Sequence, residues 1–289
     1  MARKIGFIGL GNMGKRLAAN LLEDNGSISV WDRSSDKLEN QAPANADKIS
    51  SIDELVDAAD VIFISVSNDD AVRDVCEQIA ENDITDKVIV DMSTIAPGTS
   101  IDLAKLIAKK DGQLLDAAVS GSTPQVEDRV LTIFVGGDKQ TYTNIKDLLE
   151  PLGRKTYYMG ENGKGLKMKL CVNLLLGVGL ASIAETVVLA QKLGLDKSAA
   201  IEALSGTAVM SPSQNAKIKL AKDENYSPAT FSLELMHKDL ELILKEADSF
   251  DLPLAVVSAA HQLAHLSLSK GAKEDFAVMI REAERLAGL

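Results

Sequence analysis

The sequence predicts an α/β fold in which an N-terminal domain of parallel strands and helices precedes an all-α C-terminal domain, and three observations carry that expectation. Up to about residue 160, short β-branched runs alternate with amphipathic segments, the β-α-β rhythm of a parallel sheet. A G-x-G-x-x-G stands directly after the first of those runs. Beyond about residue 163 the text is long and helical, with Gly194, Pro212, Pro228, Pro253 and Gly271 at the breaks.

Strands are expected at Lys4–Ile8, Ser27–Trp31, Val61–Val66, Val88–Asp91, Leu114–Asp116 and Thr132–Val135. Helices are expected between the early ones, at Lys15–Glu23, Ser51–Ala58 and Val72–Ala80. The rhythm changes at Gly160–Gly165, which sets domains of 1–162 and 163–289. The helix opening there should run from about Gly165 to Leu193, roughly 40 Å at ~1.5 Å per residue. It is apolar around much of its circumference, so it should be buried between partners. No internal repeat or low-complexity tract is present.

The 289 residues hold 31 Lys+Arg against 42 Asp+Glu, a net charge of −11. That balance argues against nucleic acid or an anionic membrane surface as a partner, since both require clustered cations. Cys76 and Cys171 are far apart in apolar contexts and form no disulfide framework or CxxC pair, which suits a reducing compartment. The N-terminus passes from Met1-Ala2-Arg3-Lys4 straight into a strand-like run without a secretory h-region. The longest apolar stretch, Leu170 to Ala184, is interrupted by Asn173 and falls short of the ~20 residues that span a bilayer. A soluble, cytoplasmic protein is expected.

The first strand ends in Gly9-Leu10-Gly11-Asn12-Met13-Gly14, and Asp32 closes the next strand 18 residues beyond Gly14. In such a loop the first glycine permits the tight turn, the second lets backbone approach a pyrophosphate and the third allows close helix packing. The helix N-terminus then faces the phosphates. With strand, helix and acid in register, the pattern implies a Rossmann-like dinucleotide-binding domain. A methyltransferase uses a similar loop, so the motif alone does not establish hydride transfer. Asp32 would accept hydrogen bonds from the adenosine ribose and repel a 2′-phosphate, which favours NAD. Arg33, Ser34 and Lys37 could together cradle that phosphate, so NADP stays open.

Lys169 and Asn173 are four apart and share one helical face. A lysine on an apolar helix is costly unless it meets a polar cleft or a partner, or snorkels to the surface. In a cleft, burial and a neighbouring cation such as Lys238 would draw its pKa toward neutrality, which suits proton transfer to a carbonyl oxygen. Ser120-Gly121 follows a strand-like segment, where hydroxyl and backbone N–H groups bind a carboxylate or merely make a turn. Ser120 lacks the preceding glycine of a hydrolase elbow. His261 and His265 have i, i+4 spacing, but no third ligand stands out and no metal site is expected.

Four separated stretches resemble one family, the β-hydroxyacid dehydrogenases related to 3-hydroxyisobutyrate dehydrogenase, the glyoxylate and succinic semialdehyde reductases and the front part of 6-phosphogluconate dehydrogenase. They are Gly6 to Gly14, then Asp116-Ala117-Ala118-Val119-Ser120-Gly121 with Leu131 to Gly137, then Gly163 to Asn173 as G-x-G-x-x-x-K-x-x-x-N, and Lys238-Asp239-Leu240 followed by Gly271 and Asp275. The resemblance implies that Ser120 and Gly121 hold a substrate carboxylate, Lys169 is the general acid/base and Asn173 bonds the substrate near the reacting carbon. It also implies that Lys238 reaches over the nicotinamide end, and that Val66, Ser67, Asn68 and Thr94 line the cofactor. The chain departs from the family after Gly121, where Ser122-Thr123-Pro124-Gln125-Val126 replaces a glycine-rich continuation and Arg129 replaces another glycine. That loop, with Ser122 among the substrate-binding positions, shapes the pocket in the family.

The resulting expectation is an NAD(P)-dependent oxidoreductase acting on a small β-hydroxyacid, semialdehyde or glyoxylate, assembled as a homodimer through the long apolar helix. An imine-reducing or decarboxylating relative and a non-catalytic dinucleotide-binding module remain as alternatives.

Overall fold

The computed structural model describes residues 3–289; Met1 and Ala2, part of the segment read for a leader, lie outside the described residues. Eight strands form one sheet: β1 (Ile5–Ile8), β2 (Ser29–Trp31), β3 (Asp47–Lys48), β4 (Val61–Ile64), β5 (Val88–Asp91), β6 (Gln113–Ser120), β7 (Leu131–Gly136) and β8 (Gly153–Gly160). Their spatial order is β3-β2-β1-β4-β5-β6-β7-β8. Seven helices connect them: α1 (Gly14–Asn25), α2 (Ser35–Gln41), α3 (Ile52–Ala58), α4 (Asp69–Ala80), α5 (Pro97–Ala108), α6 (Thr123–Glu127) and α7 (Lys139–Leu149).

Period-two alternation along the central strands builds two apolar layers. Ile5 and Phe7 of β1 and Val61 and Phe63 of β4 face one side, where they meet Leu17 and Leu21 of α1 and Ile145 and Leu149 of α7. Ile8, Ile62 and Ile64 face the other, against Leu55 of α3, Ile79 of α4 and Ile107 of α5. A helix layer on each face explains why β1 and β4 read as continuous apolar runs. The all-parallel expectation fails at one junction: β7 runs antiparallel to β6, pairing Ala118 with Phe134 and Ser120 with Thr132. β6 also extends to Ser120, beyond the Leu114–Asp116 expected for it.

The chain divides into two compact units, one ending at Lys169 and the other spanning Leu170–Leu289. α8 (Lys164–Lys192) runs through the division. The second unit is completed by α9 (Lys197–Ser205), α10 (Pro212–Lys222), α11 (Leu233–Asp248), α12 (Ala255–Gly271) and α13 (Met279–Leu286). Its core gathers Leu180, Ile183 and Val187 of α8, Met236, Leu240 and Ile243 of α11, Ala260 and Ala264 of α12, and Phe276. A buried ion pair ties it together: Lys217 Nζ lies 2.8 and 2.7 Å from the two carboxylate oxygens of Asp275, which also accepts from the Thr230 hydroxyl and the Ala277 N–H.

The apolar run 170–184, judged too short for a bilayer, is part of a longer element. α8 has 29 residues and, by length and composition alone, is apolar enough to cross a membrane, with 33% of its most apolar 18-residue window buried inside the chain. Asn173 does not break it, and the helix expected from about Gly165 to Leu193 coincides with α8 to within one residue at each end.

Candidate active site

The strand order reverses between β1 and β4, the place where doubly wound sheets open a crevice at their carboxyl ends. The glycine loop bridges β1 and α1 there. A Cβ on Gly14 would clash with the carbonyl oxygen of Gly9, and one on Gly9 (φ +98°) with that of Ser65, so the loop is closed on its own backbone and on the backbone that follows β4. At Gly11 a Cβ would meet no protein atom within 4 Å. Open space at the middle glycine, next to a 12-residue helix with neither a side-chain cap nor an acidic first turn, fits a dinucleotide pyrophosphate. Asp32 holds the loop in place, with Oδ2 accepting from Leu10 N–H (2.7 Å) and Oδ1 from Ser34 N–H (2.8 Å). Arg33 is exposed, and the Ser34 hydroxyl caps α2. Asn12 and Met13 complete the turn, the Asn12 carbonyl accepting from Arg16.

The loops after β4 and β5 are strapped to one another. Val66 N–H donates to Ser93 Oγ (3.0 Å), and Ser93 N–H donates to Asp91 Oδ1 (2.9 Å). Asp69 Oδ1 accepts from Ala96 N–H and from the Thr99 hydroxyl. These bonds fix the backbone around Val66, Ser67, Asn68 and Thr94, the expected cofactor-lining positions; Asn68 itself caps α4 through Ala71 N–H. Burial pushes the Asp91 carboxyl up to about 7, against the pull of its Ser93 hydrogen bonds.

Ser120, half-buried, is the last residue of β6, and Gly121 follows it exposed with φ +140°. The Ser122 hydroxyl and N–H both donate to Gln125 Oε1, so α6 takes both donors of the expected substrate-binding Ser122. Lys169 lies at the end of the first unit, on α8, with only 7% of its surface exposed. Snorkelling to solvent is thereby ruled out.

One helical turn later Asn173 is fully buried. Its Nδ2 donates to Asp239 Oδ2 of α11 at 2.5 Å, while its Oδ1 is buried with no hydrogen-bond partner. An unsatisfied buried amide oxygen is costly, and it suits a ligand hydroxyl. Lys238 Nζ stands 3.2 Å from Asp239 Oδ1. His261 and His265 do acquire a third imidazole: the His237 ring centroid is 4.5 Å from that of His261 and 5.3 Å from that of His265. Among the described residues, however, no group of His, Cys, Asp or Glu is arranged to hold a metal ion.

Residues 4–160 match the family model described as the NAD binding domain of 6-phosphogluconate dehydrogenase, and residues 163–283 match the NAD-binding domain of NADP-dependent 3-hydroxyisobutyrate dehydrogenase. The chain belongs to the β-hydroxyacid dehydrogenase family. This family comprises NAD(P)-dependent oxidoreductases of small hydroxyacids, and NAD or NADP is the cofactor that the glycine cradle fits. The chain is 32% identical to 2-(hydroxymethyl)glutarate dehydrogenase of Eubacterium barkeri, over 99% of this chain and 96% of that protein. It is 33% identical to glyoxylate/succinic semialdehyde reductase 2, chloroplastic, of Arabidopsis thaliana, over 96% of this chain and 78% of that one. Among solved structures, 3-hydroxyisobutyrate dehydrogenase of Mycobacterium tuberculosis with L-serine superposes with a TM-score of 0.86 at 26% identity, covering 97% and 99% of the two chains.

Three carboxylates at or beside the expected site residues escaped the sequence reading. Asp239 stands in the Lys238-Asp239-Leu240 stretch with no role of its own, yet its carboxylate accepts from Asn173 and orients it. Asp91 and Asp116 read as strand ends, and the mark that distinguishes them, an acid at the close of an otherwise apolar strand, was on view in Val88–Asp91 and Leu114–Asp116.

Proposed function

We propose that this protein catalyses the NAD(P)-dependent interconversion of a small β-hydroxyacid, or a short aldehyde acid such as a semialdehyde or glyoxylate, with its carbonyl partner, and that Lys169 is the general acid/base. The observation that carries the reading is the pair on α8: a buried lysine and, one turn on, a buried asparagine whose amide oxygen lacks a partner. Residues 1–162 serve as the dinucleotide-binding domain and 163–289 as the catalytic and dimerisation domain. The nicotinamide, when bound, supplies the hydride for reduction and takes it in oxidation. Gly9, Leu10, Gly11, Asn12, Met13 and Gly14 cradle its pyrophosphate, and Asp32 favours the ribose of NAD over a 2′-phosphate. Ser120 and the backbone of Gly121 hold the substrate carboxylate, and Ser122 shapes the pocket beside them. Asn173 Oδ1 accepts a hydrogen bond from the substrate near the reacting carbon, leaving the proton of the reacting hydroxyl to Lys169. Lys169 Nζ gives a proton to the carbonyl oxygen in reduction and takes it back in oxidation. Lys238 reaches over the nicotinamide end.

A homodimer in the cytoplasm, with neither nucleic acid nor membrane as partner, completes the reading. α8 leaves Leu175 73% and Leu189 59% exposed, and a second copy covering that face would bury them. Light scattering at micromolar concentration should give twice the chain mass; a monomer would contradict it. The activity is tested by following reduced-nicotinamide absorbance with NADH and NADPH against glyoxylate, succinic semialdehyde, methylmalonate semialdehyde and tartronate semialdehyde. Consumption with at least one acid is expected. Tight NADH binding with no consumption across the panel would overturn the reading in favour of a binding module.

A further inference from the structure

We propose that Asp116 is a positioning residue that caps α8 from strand β6 and so holds Lys169 in register with Ser120. The proposal rests on the roles given above to Lys169 and Ser120. Gly163 occupies the N-cap place of α8, its carbonyl accepting from Lys167 N–H at 2.9 Å. A glycine there has no side chain to satisfy the N–H three residues on, as Ser, Thr, Asn or Asp would. Asp116 supplies that group from a distant part of the chain. Its Oδ1 accepts from Gly163 N–H at 2.6 Å and its Oδ2 from Leu166 N–H at 3.0 Å, so one carboxylate holds two amides that the helix itself cannot satisfy.

The surroundings leave this carboxylate no alternative position. Asp116 is fully buried, and Gly136 lies opposite it on β7. A Cβ on Gly136 would sit 2.6 Å from Oδ1 while also clashing with the Glu161 carbonyl, and a Cβ on Gly165 would sit 2.6 Å from Oδ2 while also clashing with the Phe134 carbonyl. Glycine at 136 and 165 thus lets backbone close around this acid, while Gly163 is required by its own φ of +85° and the nearby Pro97 carbonyl. Burial raises the Asp116 carboxyl above its usual range, while the amide bonds oppose the rise. The position of negative charge at a helix N-terminus favours the ionised form as well.

The consequence is geometric. Asp116, Ala118 and Ser120 alternate onto the same face of β6, the face whose apolar layer includes Ala118 and Leu166. Four residues along β6 lead from the cap to the carboxylate anchor, and three residues along α8 lead from Leu166 to the acid/base. Both paths are regular secondary structure and start at the same carboxylate, so Asp116 sets the register of proton donor against bound acid. A misplacement on the order of 1 Å at such a site costs about 100-fold in rate.

The test compares Asp116→Asn with Lys169→Ala and with the core truncation Leu149→Ala, which lowers stability in the same unit but touches none of these groups. Asparagine keeps one acceptor and turns an NH₂ toward the second amide. We expect kcat to fall at least tenfold in Asp116→Asn at a temperature well below its Tm, with the NAD(P)H dissociation constant and substrate KM within threefold of the parent. Leu149→Ala should lose Tm and keep kcat. An unchanged kcat in Asp116→Asn alongside a dead Lys169→Ala would overturn the positioning role and leave the acid/base assignment standing. Near-normal turnover in Lys169→Ala would overturn both. Should Asp116→Asn fail to fold, Asp116→Glu keeps the carboxylate but displaces it by one methylene and must show the same split between kcat and KM; an unaltered kcat there would equally overturn the role.

Discussion

Replacing Asp91 with asparagine should change how the stability of the sheet-bearing unit depends on pH. The carboxyl is fully buried, one oxygen accepts from Ser93 N–H and the other has no partner. Burial raises it from 3.8 to about 7. The folded chain therefore holds this proton over a window, from about pH 4 to 7, in which the unfolded chain has lost it. Stability from this group is thus fully present below about pH 4 and is lost as pH rises through 7. At about 1.4 kcal/mol per pH unit the whole change is roughly 4 kcal/mol, of which roughly 2.5 kcal/mol falls between pH 5 and 8. Asparagine keeps the acceptor for Ser93 and buries an unpaired NH₂ at a pH-independent cost of about 1–3 kcal/mol. The variant should be the less stable protein at pH 5 and recover on the parent by roughly 2.5 kcal/mol by pH 8. Urea unfolding followed by the fluorescence of Trp31, the single tryptophan and a β2 residue, reads this unit directly. Parallel stability curves across pH 5–8 would refute the reasoning.

Gly11→Ala should leave Tm unchanged and weaken NAD(P)H binding at least tenfold, because its Cβ meets no protein atom and enters the space assigned to pyrophosphate; unchanged affinity by fluorescence titration would remove that assignment. Gly14→Ala should instead destabilise the folded loop itself, through its clash with the Gly9 carbonyl, and a scan showing no loss of Tm would contradict the packing described. Asp275→Ala strands the Lys217 ammonium, whose pKa burial already lowers, and should cost about 3–5 kcal/mol in thermal or urea unfolding. A loss under about 1 kcal/mol would mean that water replaces the pair.

What the sequence disclosed follows from the range of the interactions involved. The Gly9–Gly14 loop with Asp32, and the Lys169–Asn173 spacing, are patterns written within one or two elements, so periodicity and turn chemistry expose them. β8 stayed hidden because Arg154, Lys155 and Tyr157 make it an exposed edge without apolar alternation. The antiparallel β7 was hidden for another reason: strand direction depends on which neighbour is met, and nothing in Leu131–Gly136 encodes that. Asp116 and Asp239 act on residues 47 to 66 positions away, a separation at which spacing carries no signal. The cluster of His237 with His261 and His265 depends likewise on how α11 lies against α12.

Lys169 carries the proposed proton transfer, and the most direct measurement is turnover by Lys169→Ala beside its affinity for NAD(P)H, using whichever acid of the panel the parent enzyme consumes. Removing a general acid/base should cost on the order of 100- to 10,000-fold in kcat while the dinucleotide dissociation constant stays within about threefold. Near-normal turnover in that variant would contradict the account, because the buried lysine would then be a structural group and the proton would have to come from elsewhere.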